Sequence, residues 1–261
     1  MNSPILDHYG FSRLPFGKDL PTEHMFPTTT VEDTTAMIEF GLATEDIILV
    51  TGPIGCGKSL ALRRVTARLD TNRYQIMYLP GSIGSQAELY KQVLTGMKID
   101  PPHSLSKAKP RFYSAVSEAG RKPVVILDDA QDIPENALLA LKSMTNFEFD
   151  SANRITIVLV GQPELTKILG YSHFDSLRAR IRLSTSMTGM SLSETCDYID
   201  HQLKIVKREQ KLFSDNAKAE VFKRTQGIPR AVNNLCFKAV LQGAVKKTDI
   251  IDVADIPQDS V

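Results

Sequence analysis

Ile47-Ile48-Leu49-Val50-Thr51-Gly52-Pro53-Ile54-Gly55-Cys56-Gly57-Lys58-Ser59-Leu60 holds three signals in order. Four apolar residues, Ile47–Val50, read as a buried strand. A glycine-rich turn follows, and then a helical pattern over Ser59–Leu69 in which Ala61, Val65 and Leu69 recur every fourth residue. Gly52 to Ser59 fits the spacing Gly-x4-Gly-Lys-Ser/Thr in the strand–loop–helix context that gives this motif its meaning. Glycines let the backbone wrap phosphate oxygens with inward N–H groups, and the helix N-terminus adds a favourable dipole. Gly52, Pro53, Ile54, Gly55, Cys56, Gly57, Lys58, Ser59 and Leu60 are thus the expected ATP-binding stretch. Lys58 would pair with β- and γ-phosphate oxygens, and the Ser59 hydroxyl would ligate Mg2+. Cys56 occupies a variable position of the loop and reads as a small filler rather than a redox switch.

Working outward, short β-branched runs at Gln75–Leu79, Val124–Leu127, Ile155–Val160 and, more weakly, Ile181–Ser184 alternate with helical patterns. That alternation predicts an α/β core with a parallel sheet and helices on both faces. Val124-Val125-Ile126-Leu127-Asp128-Asp129 describes a buried strand whose last carboxylate faces a ligand crevice, so Asp128 is the expected second Mg2+ ligand. Asp129 stands where many such ATPases carry a glutamate that orients the attacking water. One methylene fewer makes that reach harder, which predicts slow, switch-like hydrolysis. Gln162, just past the next strand, is the candidate γ-phosphate sensor.

After about residue 190 the pattern becomes helical only. Ser191 to Glu194 reads as a capping box before an apolar stripe of Cys196, Ile199, Leu203 and Val206. A second helix is expected after Ser214, ending at Gly227, and a third from Pro229. The expected organisation is an N-terminal segment 1–46, an α/β core 47–188, a helical domain 189–248 and an acidic tail 249–261. Pro101–Pro110 is the most loop-like stretch. The acidic tail reads as a frayed, solvated end.

No apolar run approaches the roughly 18 residues of a membrane span, and Met1 to Gly10 shows no secretory signal. The three cysteines lie far apart with no Cys-x-x-Cys pair, which fits a reducing cytoplasm and no zinc site. Net charge is +1, but residues 1–50 carry two basic and eight acidic side chains, whereas 201–247 carry eleven basic and three acidic. The basic stretch suits either DNA or a solvated helical face, and charge alone leaves both open.

Gly52–Ser59, Val124–Gln131, Val160-Gly161-Gln162-Pro163-Glu164-Leu165, Leu177-Arg178-Ala179-Arg180-Ile181 and Gly227-Ile228-Pro229-Arg230 through Cys236 occur in that order. With Tyr9 to Phe16 at the front, this set closely resembles the ExeA/GspA-like AAA+ ATPases, a group akin to the transposition regulators MuB, TnsC and IstB. The resemblance spans nearly the whole chain. It implies a helical lid after the α/β core, a first core helix within 1–46, and neighbouring subunits that complete each other's sites in a ring or helical filament. It implies an arginine finger at Arg178 or Arg180, with Arg182 a third candidate. It also implies that Arg230 reads the γ-phosphate from the lid.

Within that group, a short ATPase–lid chain resembles the transposition helpers best, because the secretion members carry membrane and cell-wall-binding extensions. The expectation is an ATPase that oligomerises on double-stranded DNA and recruits a transposase, with no membrane partner. The alternatives are a secretion-apparatus assembly ATPase, a nucleotide-switched scaffold without DNA, and a small-molecule P-loop kinase. The Gly-Ile-Pro-Arg segment counts against the kinase. Lys98, Lys107, Lys109 and Arg111 are the candidate phosphate-backbone contacts, with Lys91 a further one.

Overall fold

The computed structural model describes residues 4–17, 25–44, 47–148, 152–208 and 210–258. The remainder of the N-terminal segment and the last three residues of the acidic tail lie outside the described residues. Five strands form one parallel sheet: β1 (Ile47–Thr51), β2 (Tyr74–Leu79), β3 (Lys122–Leu127), β4 (Thr156–Gly161) and β5 (Ile181–Ser186), in the order β2-β3-β4-β1-β5. Eleven α-helices are described: α1 (Pro4–Tyr9), α2 (Thr29–Thr44), α3 (Lys58–Arg68), α4 (Gln86–Gly96), α5 (Leu105–Ser117), α6 (Glu135–Met144), α7 (Pro163–Leu169), α8 (Asp175–Arg178), α9 (Leu192–Ile205), α10 (Asp215–Thr225) and α11 (Pro229–Lys246).

Strand position explains strand composition. Every residue of β1 and β4 is buried, and β3 is buried from its second residue onward. A parallel sheet with both faces covered selects such unbroken β-branched runs. The two edge strands, β2 and β5, are more open, and β5 alternates half-buried with exposed residues along its length. That weaker pattern is why β5 is the hardest strand to see in the sequence.

By internal contacts the chain divides into two units. Asp33–Pro53 with Lys58–Met187 form the sheet unit, and its core runs from Ile47 through Phe112, Leu138 and Ile157 to Leu177. Met1–Glu32, Ile54–Gly57 and Thr188–Val261 form the helical unit. The opening segment packs into that helical core: Tyr9, Phe11 and Phe16 are buried with Ile199, Phe213, Val232 and Val240. The Ser12 N–H donates to the Val206 carbonyl at 3.0 Å, and Arg208 donates to the Tyr9 carbonyl at 3.0 Å.

Two local expectations need correction. Pro101–Pro110 is only half loop, because α5 begins at Leu105 and contains Pro110 in its interior. Proline there removes one hydrogen bond and crowds the preceding turn, at a cost of ~3 kcal/mol. Burial of Ala108, Phe112, Ala115 and Val116 along one face of α5 offsets that local penalty. Nor does the acidic tail fray through residue 256: Ile251 and Ile256 are buried, and backbone bonds join Ile251 to Leu212 and Ser214.

Candidate functional site

The sheet unit brings Gly52, Lys58, Asp128 and Gln162 to the C-terminal ends of β1, β3 and β4. β1 leads into the glycine-rich loop, and β4 beside it ends at Gly161-Gln162. The Gly52 N–H donates to the Gly161 carbonyl at 3.2 Å, which ties the loop's start to the neighbouring strand. The Lys58 ammonium donates to the Gly52 carbonyl at 2.7 Å and the Pro53 carbonyl at 3.0 Å. The loop therefore holds its own cation at the mouth of α3, whose first turn carries no acidic residue. Such a helix start favours an anion.

Gly55 and Gly57 have φ of +84° and +111°, as a loop with inward amides demands. Gly55 has a second reason to lack a side chain. Within the helical unit the Arg230 N–H donates to its carbonyl at 3.3 Å, and a Cβ on Gly55 would stand 2.4 Å from the Arg230 Cβ. Pro229 opens α11 and so places Arg230 in its first turn. Cys56 is 1% exposed, consistent with a filler.

Asp128 ends the β3 side of the site and is 8% exposed. A carboxylate so buried is costly unless hydrogen-bonded. Its Oδ2 accepts the Tyr78 hydroxyl at 2.6 Å, and its Oδ1 accepts the Asp129 N–H at 3.0 Å. Tyr78 lies on β2, in register with Ile126. Partial burial first, then the bond to Asp128 and the two nearby carboxylates, push its pKa up to about 12, so it stays a donor at neutral pH.

Asp129 is exposed and left-handed, with φ 50° and ψ 42°. Its side chain makes no cap bond to the short turn Ala130–Asp132, so helix capping does not explain it. Its Oδ1 instead accepts from the Gln131 amide at 3.2 Å. Gln162 has extended backbone at the start of α7, and its side chain makes no cap bond there either.

These donors suit Mg2+ held jointly with phosphates. One buried carboxylate and one serine hydroxyl are hard oxygen ligands, and no group of three or more His, Cys, Asp or Glu among the described residues could cage an ion alone. The left-handed glycines, the acid-free helix start and Lys58 suit a polyphosphate.

The other expected residues are spread out. Arg178 is committed within its own chain, to Asp175 at 2.5 Å and the Leu169 carbonyl at 3.0 Å. Arg180 is half-buried, 3.4 Å from the Thr145 hydroxyl, while Arg182 is exposed on β5. Lys107 and Arg111 are exposed one turn apart on α5, whereas Lys109 turns inward over the Tyr90 ring. Lys98 is exposed just past α4, and Lys91 is half-buried within it.

Sequence reasoning passed over Tyr78 and Gln131. An edge-strand tyrosine shows no motif, and no spacing rule assigns a glutamine three residues after Asp128. It also missed a concavity of about 460 Å³ at the N-terminal ends of β2 and β3, lined by Arg73, Arg121, Lys122 and Arg154 among others. Arg73 lies over the Tyr74 ring, Arg121 donates to the Thr71 carbonyl, and Arg154 pairs with Glu148.

A parallel five-stranded sheet with helices on both faces, a phosphate-type loop after β1 and an acid after β3 define the P-loop AAA+ fold. Residues 42–169 match the family model described as an AAA domain, just under half of the chain. The chain is 23% identical over 256 residues to general secretion pathway protein A of Aeromonas hydrophila, covering 95% of this chain and 46% of that protein. It thus spans about half the length of that curated relative. Among solved structures it resembles Cdc6p from Pyrobaculum aerophilum, with a TM-score of 0.71 and 13% identity over 90% of this chain and 67% of that one. It also resembles Aeropyrum pernix ORC2, solved as ADPNP-ADP complexes, with a TM-score of 0.62 and 14% identity over 92% and 69%. The Thermotoga maritima RuvB Holliday junction branch migration motor aligns with a TM-score of 0.56 and 16% identity over 93% and 70%. No helix among the described residues is long and apolar enough to cross a membrane.

Proposed function

We propose that this chain is an ATP-dependent AAA+ ATPase that oligomerises on duplex DNA, as a ring or helical filament, and recruits or activates a transposase at the target. The nucleotide half rests on one observation: Lys58, held by two loop carbonyls at the start of a helix whose first turn has no acid. Bound with Mg2+, ATP supplies a γ-phosphoryl group open to attack by water. Lys58 would exchange its carbonyl partners for β- and γ-phosphate oxygens, and Ser59 with Asp128 would hold the ion, which would neutralise charge on the phosphates. Asp129 orients the attacking water, Gln162 touches the γ-phosphate, and Arg230 reads it from α11. Arg178 or Arg180 acts on a neighbouring subunit's nucleotide. Where Arg178 is that residue, it first releases Asp175.

The DNA half draws on the fold shared with the branch migration motor and on two cationic surfaces. One is the Lys107 and Arg111 face of α5, and the other is the concavity with Arg73 and Arg121, whose partners among the described residues are the Tyr74 ring and the Thr71 carbonyl. Phosphate contacts make affinity fall steeply with salt, with a log–log slope of about −0.9 per neutralised phosphate. The test measures ATP binding, turnover and duplex affinity across a salt series for wild type and Lys58→Ala. Expected are loss of ATP binding in the variant, and ATP-dependent, salt-sensitive DNA binding in the wild type. Unchanged ATP binding in the variant would overturn the nucleotide reading.

A second reading, assembly of a secretion apparatus, is favoured by the match to general secretion pathway protein A along 95% of this chain. ATP-dependent oligomers that ignore duplex DNA at low salt would overturn the DNA half and leave this reading beside a scaffold without DNA.

A further inference from the structure

One side chain bridges the two strand ends that hydrolysis depends on. The Gln131 carbonyl oxygen accepts the Gln162 backbone N–H at 2.9 Å, while its amide nitrogen donates to Asp129 Oδ1 and Asp132 Oδ2, both at 3.2 Å. A backbone N–H can only donate, so the amide has one workable orientation: oxygen toward β4, nitrogen toward the two carboxylates. The pocket for this oxygen exists because residue 161 is glycine. A Cβ there would meet Gln131 Oε1 at 2.8 Å. Asp129, held in left-handed backbone, is otherwise an exposed side chain on a short turn and depends on such a bond for a fixed direction.

We infer that Gln131 is a positioning residue for ATP hydrolysis, locking the Asp129 carboxylate to the Gln162 backbone so that the two strand ends move as one. The inference rests on the ATPase reading above and adds to it the element that ties water orientation to γ-phosphate sensing. It also addresses the short reach of Asp129. An aspartate with one methylene too few works only if its rotamer is fixed, and Gln131 fixes it from the side facing β4. Loss of the bond leaves ATP bound but its attacking water loosely held, and misplacement of about 1 Å in such geometry costs on the order of 100-fold.

Two variants separate the halves of the bridge. Gln131→Met is similar in size and removes all three bonds. Gln131→Glu keeps the acceptor for Gln162 but sets a third carboxylate against Asp129 and Asp132. In the nucleotide-free protein, amide hydrogen exchange at Gln162 should quicken roughly 3- to 10-fold in Gln131→Met, the worth of one ordinary hydrogen bond, and stay unchanged in Gln131→Glu. Both should lower kcat roughly 10- to 100-fold with ATP affinity within about twofold of wild type. In an Asp129→Asn background, Gln131→Glu should cost less than it does alone, because the new amide can donate to the new carboxylate and only Asp132 still opposes it; this is a double-mutant cycle. Wild-type kcat in both variants, or a Gln131→Glu penalty undiminished by Asp129→Asn, would overturn the inference alone. A wild-type chain that binds ATP but turns none over, with the Gln162 amide still protected through Gln131, would sink the ATPase reading and this role with it.

Discussion

Two carboxylates, one in each unit, are solvated by the protein in opposite ways. Glu194 in the helical unit accepts the Ser191 N–H at 2.9 Å through one oxygen and both the N–H and hydroxyl of Thr29, at 2.9 and 2.7 Å, through the other. Burial pushes its pKa up, but the hydrogen bonds from Ser191 and Thr29 outweigh that and hold it at about 2. Asp128 in the sheet unit is more buried, yet among the described residues it accepts only its neighbour's N–H and one tyrosine hydroxyl. Glu194 spends its acceptor capacity closing a capping box and stapling the N-terminal segment to α9. Asp128 keeps lone pairs in reserve at a strand end. A saturated carboxylate is architecture, and an undersaturated buried one is available to an ion.

The largest expected effect tests that distinction. Asp128→Ala should cut Mg2+-dependent ATP turnover by roughly 100- to 1,000-fold, the scale of removing one charge-stabilising group. Its midpoint of chemical denaturation should barely move. A large loss of stability would show that Asp128, too, is architectural. Glu194→Gln should do the converse and cost on the order of 1 kcal/mol of stability at pH 7, discounted for the solvent around this half-exposed group. The sign follows from a folded pKa below the ordinary carboxylate value of 4.5. The stabilisation is fully present above that value and is lost as pH falls through about 2. Denaturation of both proteins at pH 7 and pH 2.5 should therefore show the gap closing at the acid end. A gap that persists there would assign the cost to packing.

The two carboxylates also differed in how legible they were. Glu194 was readable because the Ser191–Glu194 spacing is a local rule, and the structure shows both bonds of the capping box. The carboxylate's other two donors, both on Thr29, lie 165 residues away and leave no mark in the local sequence. The strand cores of β1, β3 and β4 were legible because full burial selects unbroken apolar runs, whereas α5 was obscured by Pro110, whose local cost tertiary packing overrides. The loop and the acid after β3 were readable from motif and context. Tyr78 and Gln131 were not, because their roles arise from strand register and from a gap at Gly161 that appear only when β2, β3 and β4 lie side by side.

Tyr78 offers the smallest effect and the finest test of the comparison. Its hydroxyl is the only side-chain partner of Asp128 described, at 2.6 Å, and with a pKa near 12 it does not ionise in the working range, so it cannot act as a proton switch. It can act only by aiming the carboxylate, and by yielding one oxygen when the ion binds. Tyr78→Phe keeps the ring, which is already 56% exposed, and removes only the hydroxyl. If the bond aims Asp128, the Mg2+ concentration that half-saturates turnover should rise about 3-fold, within the range of one net hydrogen bond, with folding stability unchanged. If the bond instead blocks Asp128, the same concentration should fall. A rise makes Tyr78 a support for the undersaturated carboxylate; a fall makes it a placeholder for the ion, and Asp128 would then be closer to Glu194 than its position at the strand end implies.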